Sequence, residues 1–130
     1  MRPMYSKIVI DHFMNPRNIG DMADADGIGV GGDPKCGDAL KIFIKIRNNR
    51  IEDIRFVVSG CDASIATSSM TTVLAKGKTL EEALKIKETD VIQALGGLPE
   101  EKQHCSNLGV KALQSAIKDY YDKQKEGKKY

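Results

Sequence analysis

Two runs of alternating apolar and polar residues predict a β-hairpin near the middle of the chain. The runs are ALKIFIKI, from Ala39 to Ile46, and IRFVVSG, from Ile54 to Gly60. Their apolar faces coincide if a three-residue loop, Asn48 to Arg50, joins them, because a slip of one residue would turn one face to solvent. This register predicts four cross-strand pairs, the last oppositely charged. They are Leu40 with Val58, Ile42 with Phe56, Ile44 with Ile54 and Lys45 with Asp53.

Apolar residues at helical spacing predict helices on both sides of the hairpin. The first helix, in YSKIVIDHF, ends at Asn15-Pro16 and carries His12 on its apolar face, where we expect a packed, hydrogen-bonded histidine. The helix after Cys61 has a single predicted buried face, which consists of Ala63, Ala66, Met70, Val73 and Leu74.

The remaining elements complete a predicted α+β fold. TLEEALKIK and TDVIQAL predict two short helices, the first with a capping box, and the last helix is expected to open at Pro99 with Cys105 as the first residue of its apolar stripe. DGIGV predicts a short edge strand. We therefore expect a small, mostly antiparallel three-stranded sheet packed against several helices, in one domain spanning 1–130 with 1–4 and about 124–130 frayed.

Composition narrows the class of function. The 130-residue chain is 41% hydrophobic and 29% charged, and its net charge of +2 is too small to predict nucleic-acid binding. The sequence has no apolar run of transmembrane length and no apolar core of a signal peptide. We expect a cytoplasmic protein without a membrane partner.

Three cysteines stand far apart along the chain, at Cys36, Cys61 and Cys105. An odd number in an intracellular chain is a poor disulfide framework. The hairpin register, continued outward, places Gly37 opposite Cys61 and so brings Cys36 and Cys61 together at the open end of the hairpin.

Two further donors accompany these thiols, because Asp38 follows Cys36 by two residues and His104 precedes Cys105. Three thiols with one such donor would suit a four-coordinate soft-metal site at one tip of the fold. Two alternatives stay open: three unrelated cysteines in an interaction module, and a hydrolase built on His104 and Cys105. Successive helical side chains point about 100° apart, which disfavours the hydrolase. Three hydroxyl residues are expected to be surface or packing residues: Ser64, Ser68 and Ser69.

Four motifs in order then connect the chain to a known family. They are YSKIVIDHFMNPRNIG from Tyr5, CGD from Cys36, GCDASIATSS from Gly60 and KQHCS from Lys102. With these motifs the chain resembles the IscU-type scaffolds of iron–sulfur cluster assembly, a family that includes the amino-terminal module of NifU.

The resemblance implies a scaffold rather than an enzyme. Such a protein accepts sulfur from a cysteine desulfurase and iron from an iron donor, assembles a 2Fe–2S cluster and passes it to apo-proteins. The implied ligands are Cys36, Cys61 and Cys105, with Asp38 or His104 as the fourth, and Cys105 and Cys36 are the candidate persulfide acceptors. The alternative is a zinc site at the same residues in a sulfur-transfer partner of the desulfurase. Cluster nuclearity, the recipients and a homodimer stay open.

The chain departs from the family pattern in three places. Leu98 to Lys102 reads LPEEK where the family has L-P-P-V-K, which disfavours hand-over to a dedicated Hsp70-type chaperone. Asp62 replaces a small residue after Cys61, where we expect an N-cap whose charge opposes the neighbouring thiolate. The segment between Cys61 and Cys105 lacks the insertion of SufU-type proteins, which disfavours that class.

Overall fold

The computed structural model describes residues 5–33 and 38–127 of the chain. The helices and strands follow one another in the order that the sequence predicts, and the α+β class is confirmed. In chain order they are α1 Lys7–Met14, β1 Gly27–Asp33, β2 Asp38–Arg47, β3 Arg50–Ser59, α2 Asp62–Ala75, α3 Leu80–Leu84, α4 Glu88–Ala94, a 3₁₀ turn Glu100–Lys102, and α5 Cys105–Gly127.

The strands form one antiparallel sheet in the order β1-β2-β3, and all four predicted pairs of the hairpin are present. The predicted three-residue loop is wrong. The turn is two residues, Asn48 and Asn49, with φ of 53° and 63°, and a bulge after Lys45 sets Ile46 opposite Ile51. A two-residue turn with both residues in the left-handed conformation matches the right-handed twist of the two strands.

The strand β1 extends beyond the predicted DGIGV and lies against α5. It pairs with β2 from Gly27 to Asp33. A β-carbon on Gly29 would overlap the carbonyl oxygen of Ala112, so the backbone of α5 lies directly on this strand. Close approach of this kind needs glycine. The strand therefore anchors the long helix that begins at Cys105.

Helix α2 is buried on more than one side, which the prediction of a single apolar face missed. Its hydroxyl residues from Ser64 to Thr72 are buried, whereas Val73, predicted to be inside, is 42% exposed. Most of these hydroxyls are hydrogen-bonded, for example Thr71 Oγ1, which donates to the carbonyl of Thr67 at 2.7 Å. Because α1, β3 and α5 all pack against it, α2 is the central helix of the fold.

Two other helical predictions have different outcomes. The packed His12 is confirmed, since it is buried with Nδ1 2.7 Å from Ser69 Oγ. The predicted start of the last helix at Pro99 is wrong, because a 3₁₀ turn follows Pro99 and the helix begins at Cys105. Within the described residues, no helix is both long and apolar enough to cross a membrane.

Candidate metal centre

Three potential metal ligands meet where three elements begin. Asp38 is the first residue of β2, Cys61 is the N-cap of α2, and Cys105 is the first residue of α5. One ligand atom from each lies within 4.8 Å of the others. Asp38 and Cys105 are buried and Cys61 is half-buried. The structure thus brings together three of the five predicted site residues.

The other two predicted residues have different positions. Cys36 lies outside the described residues, as does Gly37, its neighbour in the predicted register. The described ladder ends at the pair Ala39–Ser59. His104 is exposed and lies in the turn before α5, with Nε2 3.7 Å from Cys105 Sγ.

The separation of the two described thiols fits a shared metal ion. Cys61 Sγ and Cys105 Sγ are 4.0 Å apart, and both thiols are free. A disulfide needs about 2.05 Å. Two thiolates on one tetrahedral zinc ion, at Zn–S distances of about 2.3 Å, lie roughly 3.8 Å apart. The thiols, together with a carboxylate, therefore form a donor set suited to a soft or borderline metal.

The Asp38 carboxylate lies against Gly60, just before α2, and Ser64, in the first turn of α2. Ser64 Oγ donates to Asp38 Oδ2 at 2.8 Å and lies 3.4 Å from Cys61 Sγ. A β-carbon on Gly60 would stand 2.6 Å from Asp38 Oδ1, so the carboxylate occupies the space that glycine leaves. The sequence predicted only a surface or packing role for Ser64. Its position three residues after Cys61 places it near the site in the sequence but does not identify the carboxylate that it contacts.

The two thiols differ in acidity. Burial raises the pKa of Cys105 to about 12, and the negative charge of Cys61 adds to this effect. Burial also acts to raise the pKa of Cys61, but the contacts with the Ser64 hydroxyl and backbone N–H, the contact with Cys105 and the charge of Lys102 outweigh it and lower the pKa. Cys61 is therefore the readier thiolate, and a cation at the site would favour deprotonation of Cys105.

Asp62 does not have the predicted capping role. The N-cap is Cys61, whose extended backbone (φ −81°, ψ 175°) precedes the first helical residue, Asp62. The Asp62 carboxylate accepts hydrogen bonds from Tyr5 Oη at 3.2 Å and from the backbone of Ala63. Burial, followed by the charge of Asp62, raises the pKa of Tyr5 to about 12. The pKa of Cys61 is lowered overall despite this neighbouring carboxylate.

The geometric argument against a His104–Cys105 pair is also wrong. It assumed that both residues were helical, but only Cys105 belongs to α5, so the imidazole can turn back toward the thiol. The high pKa of Cys105 still gives no sign of an activated nucleophile, which would need a lowered one.

Comparison with known proteins assigns the family. Residues 4–127 match the NifU-like N terminal domain. The chain belongs to this family. It is 61% identical over 120 residues to "Iron-sulfur cluster assembly scaffold protein IscU 1" of Archaeoglobus fulgidus, covering 92% of this chain and 78% of that protein. The scaffold protein IscU of Escherichia coli K12 is 47% identical over 124 residues, covering 92% and 96%. The predicted resemblance to IscU-type proteins is confirmed.

The NifU-like domain of this chain also shares its fold with solved structures. One is the crystal structure of a putative scaffold protein for the SUF system from Fervidobacterium islandicum AW-1. The two superpose with a TM-score of 0.72 at 22% identity, covering 87% of this chain and 96% of the other. At this identity the likeness concerns the fold alone.

Proposed function

We propose that this protein is a scaffold on which an iron–sulfur cluster is assembled before transfer to apo-proteins. The observation that carries the proposal is the meeting of Asp38, Cys61 and Cys105, with ligand atoms within 4.8 Å of one another. Relatives at 47% and 61% identity are named as scaffold proteins of iron–sulfur cluster assembly. In this role the protein binds the cluster temporarily and then releases it to another protein.

The proposed ligands are Cys36, Cys61 and Cys105, with Asp38 as the fourth. Cys36 precedes Asp38 by two residues in the sequence, which supports its place in the set. Asp38 is favoured over His104 because it is buried within the ligand group, whereas His104 is exposed at its edge. A carboxylate is a harder ligand than a thiolate and holds an iron–sulfur cluster less firmly, which suits a protein that must release its cargo.

The finer steps belong to the same proposal. The cargo is a 2Fe–2S cluster, and the sulfur comes from the persulfide of a cysteine desulfurase. A thiolate of the scaffold attacks the outer persulfide sulfur, the S–S bond of the donor breaks, and the donor leaves as a thiolate. An external two-electron reductant then converts the transferred sulfur to sulfide and returns the scaffold cysteine as a thiolate. Cys105 and Cys36 are the proposed acceptors, and an iron donor supplies the metal. Attack by Cys105 requires a bound cation, because its pKa of about 12 keeps the thiol protonated in the metal-free site.

Anaerobic reconstitution with ferrous iron and sulfide tests the proposal. The wild type should develop the visible absorption of an iron–sulfur cluster with matching iron and sulfide contents. Cys36→Ala, Cys61→Ala and Cys105→Ala should each lose most of it. Ser68→Ala, a buried change on α2, is the control and should match the wild type. A wild type that forms no cluster, or three cysteine variants that all form it normally, would overturn the proposal.

The alternative function is a zinc-binding sulfur-transfer partner of the desulfurase. The 4.0 Å separation of the Cys61 and Cys105 sulfurs fits zinc as well as it fits a cluster, because tetrahedral zinc and tetrahedral iron hold two thiolates at a similar spacing. Metal analysis of the purified protein separates the two functions. Bound zinc, without cluster formation on reconstitution, would support the alternative.

A further inference from the structure

One buried hydroxyl at the metal centre has contacts that its neighbours lack. Ser64 lies in the first turn of α2, is fully buried, and donates to Asp38 Oδ2 at 2.8 Å. The same oxygen lies 3.4 Å from Cys61 Sγ. A single side chain thus contacts two of the three residues in the ligand group.

Other hydroxyls of α2 show what an ordinary packing role looks like. Thr71 and Thr72 donate to backbone carbonyls three or four residues earlier, as buried helical hydroxyls usually do. Ser64 instead donates to a carboxylate on β2, which is 26 residues away in the sequence. Ser68, one turn later, is equally buried and its hydroxyl has no partner. Helix α2 therefore tolerates a buried serine whose hydroxyl makes no hydrogen bond. Helix packing alone does not explain the hydrogen bond that Ser64 makes with Asp38.

The hydrogen bond constrains how Asp38 can bind a metal. A serine hydroxyl has one hydrogen to donate, and here it goes to Oδ2. The other carboxylate oxygen, Oδ1, stands over Gly60, where no side chain competes with it. Side chains that hold a ligand by its second donor atom fix its orientation, and their loss usually lowers metal affinity about 10–100-fold.

We propose that Ser64 is a positioning residue of the metal centre, whose hydroxyl holds Asp38 Oδ2 and so leaves one carboxylate oxygen for the metal. The inference rests on the proposed function, because it requires Asp38 to be a ligand. Ser64 itself does not bind the metal. Its effect on metal affinity therefore depends on the presence of Asp38.

Zinc affinity in a double-mutant cycle tests this role. Zn²⁺ binding to the metal-free, reduced protein is measured by competition with a chromophoric chelator for five proteins: wild type, Ser64→Ala, Asp38→Ala, the double variant and Ser68→Ala. Ser64→Ala should weaken binding about 10–100-fold. The double variant should bind no more weakly than Asp38→Ala alone, since the hydroxyl then has no carboxylate to hold. Ser68→Ala should match the wild type.

Two further measurements separate positioning from a loss of packing. The visible d–d bands of bound Co²⁺ report its ligands, so Ser64→Ala should resemble Asp38→Ala rather than the wild type. Ser64→Thr keeps the donor and should bind zinc more tightly than Ser64→Ala.

The contrary results are equally distinct. Equal zinc affinity of Ser64→Ala and wild type would overturn the positioning role, as would losses that simply add in the double variant. A Thr variant as weak as the Ala variant would also count against it. Cluster reconstitution of the wild type tests the proposed function separately. A wild type that forms a cluster, while Ser64→Ala and Ser68→Ala bind zinc equally, would remove only the role of Ser64.

Discussion

Replacing Gly60 by alanine should displace the Asp38 carboxylate while the fold persists. Gly60 links the end of β3 to Cys61, and a β-carbon there would stand 2.6 Å from Asp38 Oδ1 and 3.0 Å from Asp38 Cγ. Ordinary van der Waals contact begins at 3.4 Å. Gly60 is not one of the glycines with positive φ, so alanine can adopt its backbone conformation. The added carbon would also stand 3.1 Å from Ser64 Cβ, so the substitution tests space between Asp38 and Ser64 and not backbone strain.

The expected magnitude follows from which atoms must move. The crowded oxygen ends a short side chain, so rotation of Asp38 can relieve the overlap more cheaply than a shift of β2. Rotation would break the 2.8 Å hydrogen bond from Ser64, and losing a bond to a charged acceptor costs about 1.5–3 kcal/mol. The larger effect should be on metal binding, because the carboxylate leaves the ligand group. We expect zinc affinity to fall about 10–100-fold.

Urea unfolding of the metal-free, reduced protein gives the stability, and competition with a chelator gives the zinc affinity. Ser59→Ala is the matched control, since Ser59 is the preceding residue and is exposed. It should change neither quantity appreciably. If Gly60→Ala loses stability but binds zinc like the wild type, then the strain is absorbed elsewhere and the reasoning about Asp38 is refuted.

Two other substitutions test packing away from the metal centre. Burial, and then the charge of Arg17, hold the pKa of His12 below its usual 6.5. The folded protein thus resists protonation and loses stability as the pH falls through the unfolded-state pKa. The free energy of unfolding of His12→Asn, from urea titrations, should therefore fall less than that of the wild type between about pH 7 and pH 5. Parallel curves would contradict this. Gly109→Ala would place a β-carbon 2.5 Å from Thr71 Oγ1, so it should push α2 and α5 apart at a cost of about 1–3 kcal/mol. Adding Thr71→Ala should recover part of that loss in urea unfolding, whereas additive losses would show that the two sites do not interact.

The hairpin could be predicted from sequence because two constraints coincide there. Alternation fixes which residues face inward, and a slip of one residue would expose a whole face, so the pairing of Ile42 with Phe56 was determined. The turn was not determined, since a two-residue turn with a bulge after Lys45 leaves the same central register. The local sequence is compatible with a three-residue loop and with a two-residue turn. The left-handed conformations of Asn48 and Asn49 in the structure distinguish the two.

The sequence identified candidate ligands but not the side chains that surround them. Cysteine positions and motif order pointed to Cys61, Cys105 and Asp38, which the structure brings together. The role of Ser64 could not be predicted, because helical periodicity reports whether a side chain is buried and not which polar group it meets. The contact of His104 with Cys105 was missed for a related reason. It depends on where α5 begins, and the preceding 3₁₀ turn sets that point.

The different pKa values of the Cys61 and Cys105 thiols suit a site that binds a metal cargo and later releases it. Cys61 has a lowered pKa, whereas burial and the charge of Cys61 raise the pKa of Cys105 to about 12, so Cys61 loses its proton more readily than Cys105 in the metal-free site. A metal cation supplies the positive charge that would allow Cys105 to deprotonate, which makes binding release a proton and weaken as pH falls. The fold thus positions the Asp38 carboxylate through Ser64 and Gly60, while the Cys105 thiol keeps a raised pKa. Geometry that is already formed favours loading, while deprotonation of Cys105 becomes favourable only when a cation is bound.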